Sequence, residues 1–116
     1  DRVEKSKWCN QLHLLGHRED IPELLAMSNC AVFLPTNEGL GLGIIESMAA
    51  GTPFIAHQVG GIPEIAPSAL HQLLLTPVGD LSALLSKFNA LHSLSKSALT
   101  ELKQTLMAHA AQFELT

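Results

Sequence analysis

The order of apolar and polar positions divides the chain into two halves with different periods. In the first half, short apolar runs alternate with helical patterns across turn residues. Leu12-His13-Leu14-Leu15, closed by Gly16, predicts a first strand. Asp20-Ile21-Pro22-Glu23 then carries an acidic cap, a proline in the first turn and a glutamate three residues after the cap, which predicts a capping-box helix start. That helix takes in Leu24, Leu25 and Met27 and stops near Asn29. Ala31-Val32-Phe33-Leu34, closed by Pro35, is a continuous apolar run and predicts a strand covered on both faces.

The loop Thr36-Asn37-Glu38-Gly39 leads into a second helix, from Leu40 to Ala50, with Gly51 in the left-handed position past its end. Phe54-Ile55-Ala56-His57 predicts a third strand. A Gly60-Gly61 turn, a short helix near Pro63 and Glu64, and a fourth strand at Leu73-Leu74-Leu75 follow, before the turn Pro77-Val78-Gly79. From Asp80 the period changes to three and four. Leu81, Leu84, Leu85, Phe88 and Leu91, then Ala98, Leu99, Leu102, Leu106 and Ala110, predict two amphipathic helices. Strands and helices alternating through short loops imply right-handed βα units on a parallel sheet. Four strands make a small sheet for this class, so the expected architecture is one incomplete α/β domain.

Composition sharpens this picture. Of 116 residues, 47% are hydrophobic and only 16% charged, against about 25% charged in ordinary soluble domains. Part of the apolar surface is therefore expected to want a partner. The chain opens on Asp1 with no initiator methionine, and we read it as a processed or excised piece.

No apolar stretch approaches the ~20 residues of a membrane span, and no signal peptide is apparent. Cys9 and Cys30 form no metal or redox spacing and read as buried thiols in a reducing, cytoplasmic setting. Net charge is −4, and no Lys or Arg occurs from Glu19 to Ser86. Nucleic acid, which needs clustered cations, is excluded as a partner.

The chemistry concentrates in Glu38-Gly39-Leu40-Gly41-Leu42-Gly43-Ile44-Ile45-Glu46. Glycines at a strand-to-helix passage leave backbone N–H groups unshielded, which suits a phosphate or a sugar oxygen, although such a turn also arises for close packing alone. A dinucleotide fingerprint from Gly39 would need glycine where Ile44 stands, and the Gly-Lys-Ser/Thr end of a P-loop is missing. Glu38 stands at the mouth of the loop. Glu46, among Ile44, Ile45, Met48 and Ala49, reads as a buried carboxylate in need of a partner.

Taken with its flanks, this segment resembles a known family. Glu38 and Glu46 within E-G-L-G-L-G-I-I-E-S-M-A-A-G-T-P, preceded by L-L-G-H-R-E-D-I-P-E-L-L-A and A-V-F-L-P-T and followed by V-G-G-I-P-E-I, are similar to the paired-glutamate motif region of the retaining, group 1 nucleotide-sugar glycosyltransferases with the GT-B fold. The likeness runs from Leu12 to Asp80, more than half the chain.

The resemblance implies an incomplete Rossmann-like C-terminal domain, the donor-binding part of an enzyme transferring a sugar from a nucleoside diphosphate to an acceptor hydroxyl. It implies that Glu38 is the catalytic carboxylate facing the transferred sugar and that Glu46 grips the ribose. Amides of Gly39, Leu40, Gly41 and Leu42 would meet the sugar and diphosphate, and the loop Gly16-His17-Arg18 would lie against the base. No metal is expected as cofactor. The departures are an absent N-terminal acceptor domain and absent opening strands, with the cations those usually bring, so the chain is expected to be inactive alone. Ala110-Ala111-Gln112-Phe113 looks like the beginning of the family's last, crossing helix.

His57, Gly60 and Gly61 are further candidates for ligand contact. His13 and His17, four apart across Gly16, do not read as a zinc pair. Trp8 reads as packing. The exposed sheet edge of such a fragment is expected to support dimerisation. Two other readings stay open at this stage: a non-catalytic interaction module derived from the family, and a nucleotide-sugar epimerase of the same fold.

Overall fold

The computed structural model describes residues 11–16, 18–34 and 41–113. Its elements run α1 (Ile21–Met27), β1 (Ala31–Phe33), α2 (Gly41–Ala49), β2 (Phe54–His57), α3 (Ile62–Ile65), a 3-10 turn (Ser68–Leu70), α4 (His71–Leu74), β3 (Leu75–Thr76), α5 (Leu81–His92) and α6 (Lys96–Ala110). The three strands form a parallel sheet in the order β1-β2-β3. Ala31, Val32 and Phe33 lie opposite Phe54, Ile55 and Ala56, and Ala56 and His57 lie opposite Leu75 and Thr76. The α/β class and the parallel sheet expected from the pattern are present.

The core forms around β2. Phe54, Ile55 and Ala56 are fully buried, and Ile44 and Met48 of α2, Ile62 of α3, Leu74 and Leu106 join them. The Phe33 and Phe54 rings meet edge to face, centroids 6.4 Å apart, a favoured aromatic geometry. α2 ends as its glycine predicts. Gly51 has φ +73, its N–H donates to the Met48 carbonyl and the Thr52 N–H donates to the Ser47 carbonyl. These are the two bonds of a Schellman motif.

Buried hydroxyls near this turn are spoken for: Ser47 Oγ donates to the Thr52 carbonyl, and Thr52 Oγ1 donates to the Leu25 carbonyl at 2.5 Å, tying α1 to the sheet. Asp80 and Ser95 cap α5 and α6, their side-chain oxygens accepting from the amides of Ala83 and Ala98.

Several expectations are corrected. Residues 12–15 form no strand; they are irregular, and Leu12, Leu14 and Leu15 are 49%, 70% and 52% exposed. An extended run becomes a strand only when a neighbour takes its N–H and C=O groups, and among the described residues no strand lies beside it. The sheet therefore has three described strands, not four.

Leu73 and Leu74 belong to the one-turn helix α4, so the last strand starts at Leu75. The capping box does not form: Asp20 makes no side-chain cap, because Arg18 takes its carboxylate. β1 is not covered on both faces, since Val32 remains 40% exposed. Cys30 is half-buried rather than buried, its Sγ donating to the Ala31 carbonyl; burial pushes that thiol's pKa up, which keeps it unreactive. The Thr36-to-Gly39 loop, Trp8 and Cys9 lie outside the described residues. No described helix is long and apolar enough to cross a membrane.

Candidate functional site

In a parallel sheet all strands end on one rim, and the loops leaving that rim collect there. Phe33, His57 and Thr76 end the three strands, so the passages into α3 and α5 share the rim, and the first turn of α2 lies beside it, against Phe33. Of the sequence candidates, Gly41, Leu42, His57, Gly60 and Gly61 fall on it. His57 is half-buried, opposite Thr76 in register.

The first turn of α2 explains its glycines. Neither Gly41 nor Gly43 has a positive φ, so neither is needed for conformational freedom. A Cβ on Gly41 would lie 2.8 Å from Ile65 Cδ1, and one on Gly43 would lie 3.1 Å from Phe33 Cε1. Both glycines serve close approach: the start of α2 is wedged between the end of β1 and α3. The first amides of any helix lack intrahelical acceptors, and here they belong to residues that are side-chain-free or, as at Leu42, carry a side chain that is 61% exposed.

Gly60 differs. It has φ +51 and makes the turn by which the Ile62 amide reaches the Val59 carbonyl, whereas Gly61 has φ −85 and starts α3 as its N-cap.

Glu46, five residues into α2 from Gly41, is half-buried rather than buried, and its carboxylate has no hydrogen-bond or ion-pair partner among the described residues. It lines a groove of about 340 Å³ between α1 and α2, floored by Pro22, Ala26, Ala49 and Ala50. The small side chains leave room beside the carboxylate, and the groove keeps it wet. That replaces the expected internal partner.

Ahead of α1, Gly16 holds φ +67 with nothing within 4 Å of the place a Cβ would take. Arg18 Nε and Nη2 donate to the two oxygens of Asp20 at 2.7 and 2.5 Å. This exposed pair lowers the Asp20 pKa, chiefly through the hydrogen bonds, and raises that of Arg18. His17, Glu38, Gly39 and Leu40 lie outside the described residues. No group of three or more His, Cys, Asp or Glu side chains that could hold a metal occurs among the described residues.

Sequence reading passed over two rim residues. Ile65 sits within the V-G-G-I-P-E-I segment, yet only the fold brings it onto Gly41. Thr76 is 1% exposed with Oγ1 unpaired among the described residues, and a threonine at the end of a two-residue strand carries no signal by itself.

Comparison with known proteins fits this arrangement. The family described as "Glycosyl transferases group 1" matches residues 1–93. The chain is 47% identical over 51 residues to the N-acetyl-alpha-D-glucosaminyl L-malate synthase of Bacillus anthracis, covering 44% of this chain and 13% of that protein. It is 36% identical over 72 residues to the MMP alpha-(1->4)-mannosyltransferase of Mycolicibacterium hassiacum, covering 60% of this chain and 18% of that protein. To the O-antigen chain mannosyltransferase B of Escherichia coli it is 32% identical over 69 residues, with the same two coverages. The chain thus spans less than a fifth of the length of each of these relatives. With a matching family over four-fifths of its residues and the α/β fold that family requires, the chain belongs to the group 1 glycosyl transferases.

Proposed function

We propose that the chain is the donor-binding part of a retaining glycosyltransferase, which takes a sugar from a nucleoside diphosphate and delivers it to an acceptor hydroxyl brought by another part of the protein. The observation that carries this reading is Glu46: a half-buried carboxylate without a partner among the described residues, beside a groove floored by small side chains. A carboxylate in that state is an acceptor for paired hydroxyls, the chemistry of a ribose. Glu38, eight residues earlier in the sequence, would face the transferred sugar, orient it and stabilise charge developing at the anomeric carbon. The amides at the start of α2 meet the diphosphate.

No Lys or Arg lies between Glu19 and Ser86, Arg18 is engaged by Asp20, and Lys87 Nζ donates to the Gln72 carbonyl. The diphosphate leaves with charge that amides alone hold poorly, so cations from elsewhere in the protein complete the site and this part alone does not turn over; that no metal takes part is what the family resemblance implies.

The test is sugar transfer by the intact protein carrying Glu38→Ala or Glu46→Ala. Loss of the Glu38 carboxylate lowers kcat by roughly 100-fold or more. Loss of Glu46 raises the donor KM by roughly 10- to 100-fold, the range of one charged hydrogen bond. Undiminished transfer in both variants overturns the reading, and the anomeric configuration of the product by NMR decides retention.

A further inference from the structure

α3 is a single turn, and a helix leaves its last carbonyls without intrahelical donors. Two of these are satisfied from outside the helix. His71, the first residue of α4, places Nε2 3.1 Å from the Ala66 carbonyl oxygen, and His109, near the end of α6, places Nε2 2.7 Å from the Ile65 carbonyl oxygen. A carbonyl can only accept, so both rings carry hydrogen on Nε2 and donate, whether neutral or charged. Each ring is half-buried, and His109 is further oriented by an edge-to-face contact with Phe113 at 5.7 Å. Consecutive carbonyls are thus held by imidazoles from two different elements, one of them 44 residues away.

What they hold is the segment that faces the start of α2. It leaves the rim through Gly60 and Gly61, and its Ile65 side chain fills the space over Gly41. α6, which carries His109, also packs along α2, with Met107 Sδ 3.0 Å from the place a Cβ on Gly51 would occupy. One helix therefore backs both α2 and α3 and sets the height of one against the other.

We propose that His71 and His109 are positioning residues for the donor site: their paired hydrogen bonds fix the Gly60-Gly61 turn and Ile65 against the first amides of α2, so that the surface meeting the nucleoside diphosphate sugar is preformed. The inference rests on the donor-site reading above. Neither histidine touches the donor; each acts through the backbone of α3. A site held this way gives up little ordering on binding.

Hydrogen exchange and donor kinetics on the intact protein test it with His71→Leu, His71→Gln, His109→Leu and His109→Gln. Glutamine keeps a donor near the position of Nε2; leucine keeps bulk only. Should His109→Leu fail to fold, His109→Asn, whose amide falls short of the carbonyl, takes its place. The expected result is amide exchange in residues 61–66 about 10-fold faster in the leucine variants, with donor KM raised roughly 3- to 10-fold, the range of one neutral hydrogen bond. kcat stays within about twofold, and the glutamine variants return both readings toward the parent.

Unchanged exchange at 61–66, or glutamine variants as impaired as leucine ones, overturns the proposal. So does an unchanged donor KM when Glu46→Ala raises it, and then the clamp falls while the donor-site reading stands. If the glutamate variants instead leave transfer undiminished, the donor-site reading falls and the positioning proposal falls with it. Equilibrium binding of UDP and GDP, used as probes, then tells whether any nucleotide is bound at all.

Discussion

Two four-residue stretches of nearly the same composition end in opposite states. Leu12-His13-Leu14-Leu15 and Phe54-Ile55-Ala56-His57 each hold three apolar residues and one histidine, and each is bounded by glycine within three residues. The second is the central strand, its three apolar residues at zero exposure; the first is irregular, its leucines half to two-thirds exposed. The difference is company. β2 has β1 on one side, β3 on the other, and α2 packed against it, whereas no described strand lies beside residues 12–15. Strand formation is a property of at least two segments, and hydrophobicity supplies only one of them.

The largest expected effect separates these two stretches directly. Phe54→Ala empties a fully buried aromatic site and costs about 3–5 kcal/mol, while Leu14→Ala changes stability by no more than about 0.5 kcal/mol. Urea unfolding measures both, and a Leu14→Ala cost near that of Phe54→Ala would show that the intact protein covers residues 12–15 with a neighbouring strand.

The glycines beside the two stretches give a smaller contrast. Gly51 and Gly16 both hold left-handed φ, so alanine at either costs about 1–2 kcal/mol for the backbone. At Gly51 the added Cβ also meets Met107 Sδ at 3.0 Å, while at Gly16 it meets nothing. Gly51→Ala is therefore the more destabilising, and equal costs in thermal unfolding would break the contrast.

The smallest effects come from two aspartates before helices. Asp80→Ala removes a cap and costs about 1 kcal/mol. Asp20 caps nothing and pairs with Arg18 in solvent, so its folded pKa lies below the ordinary 3.8. A depressed carboxylate stabilises the fold above the ordinary range and loses that contribution as pH falls through the folded value. Exposure and salt screening keep it small. NMR titration should find Asp20 titrating below 3.8, with Arg18→Ala returning it upward; an unmoved midpoint would mean that the pair does not persist.

Much of the fold was legible where local signals and tertiary demands agree. Phe54–His57 matches its expected bounds, the Gly51 stop of α2 has the φ its position implies, and Asp80 and Ser95 stand where the helical period of α5 and α6 begins. Legibility failed where one residue type serves two masters. Asp20 has the composition of a cap but is claimed by Arg18, and Leu73 and Leu74 suit helix and strand equally until the register with β2 begins pairing at Leu75.

The candidate site divides in the same way. The pattern placed Gly41 and Leu42 at the start of a helix, His57 at the end of a strand and Gly60 and Gly61 in the turn after it, and the alternation of strand and helix brings these positions to one rim. Close packing, which a glycine-rich turn also serves, is what the missing side chains of Gly41 and Gly43 permit. The sequence by itself therefore determined the family and the parallel βα order, because both are written in short spacings. Only the tertiary structure decided that Glu46 lines a groove with no partner among the described residues, that Ile65 lies over Gly41, and that His109 reaches Ile65. Those depend on contacts between residues far apart in the chain, and no local pattern encodes which distant atom will fill a given space.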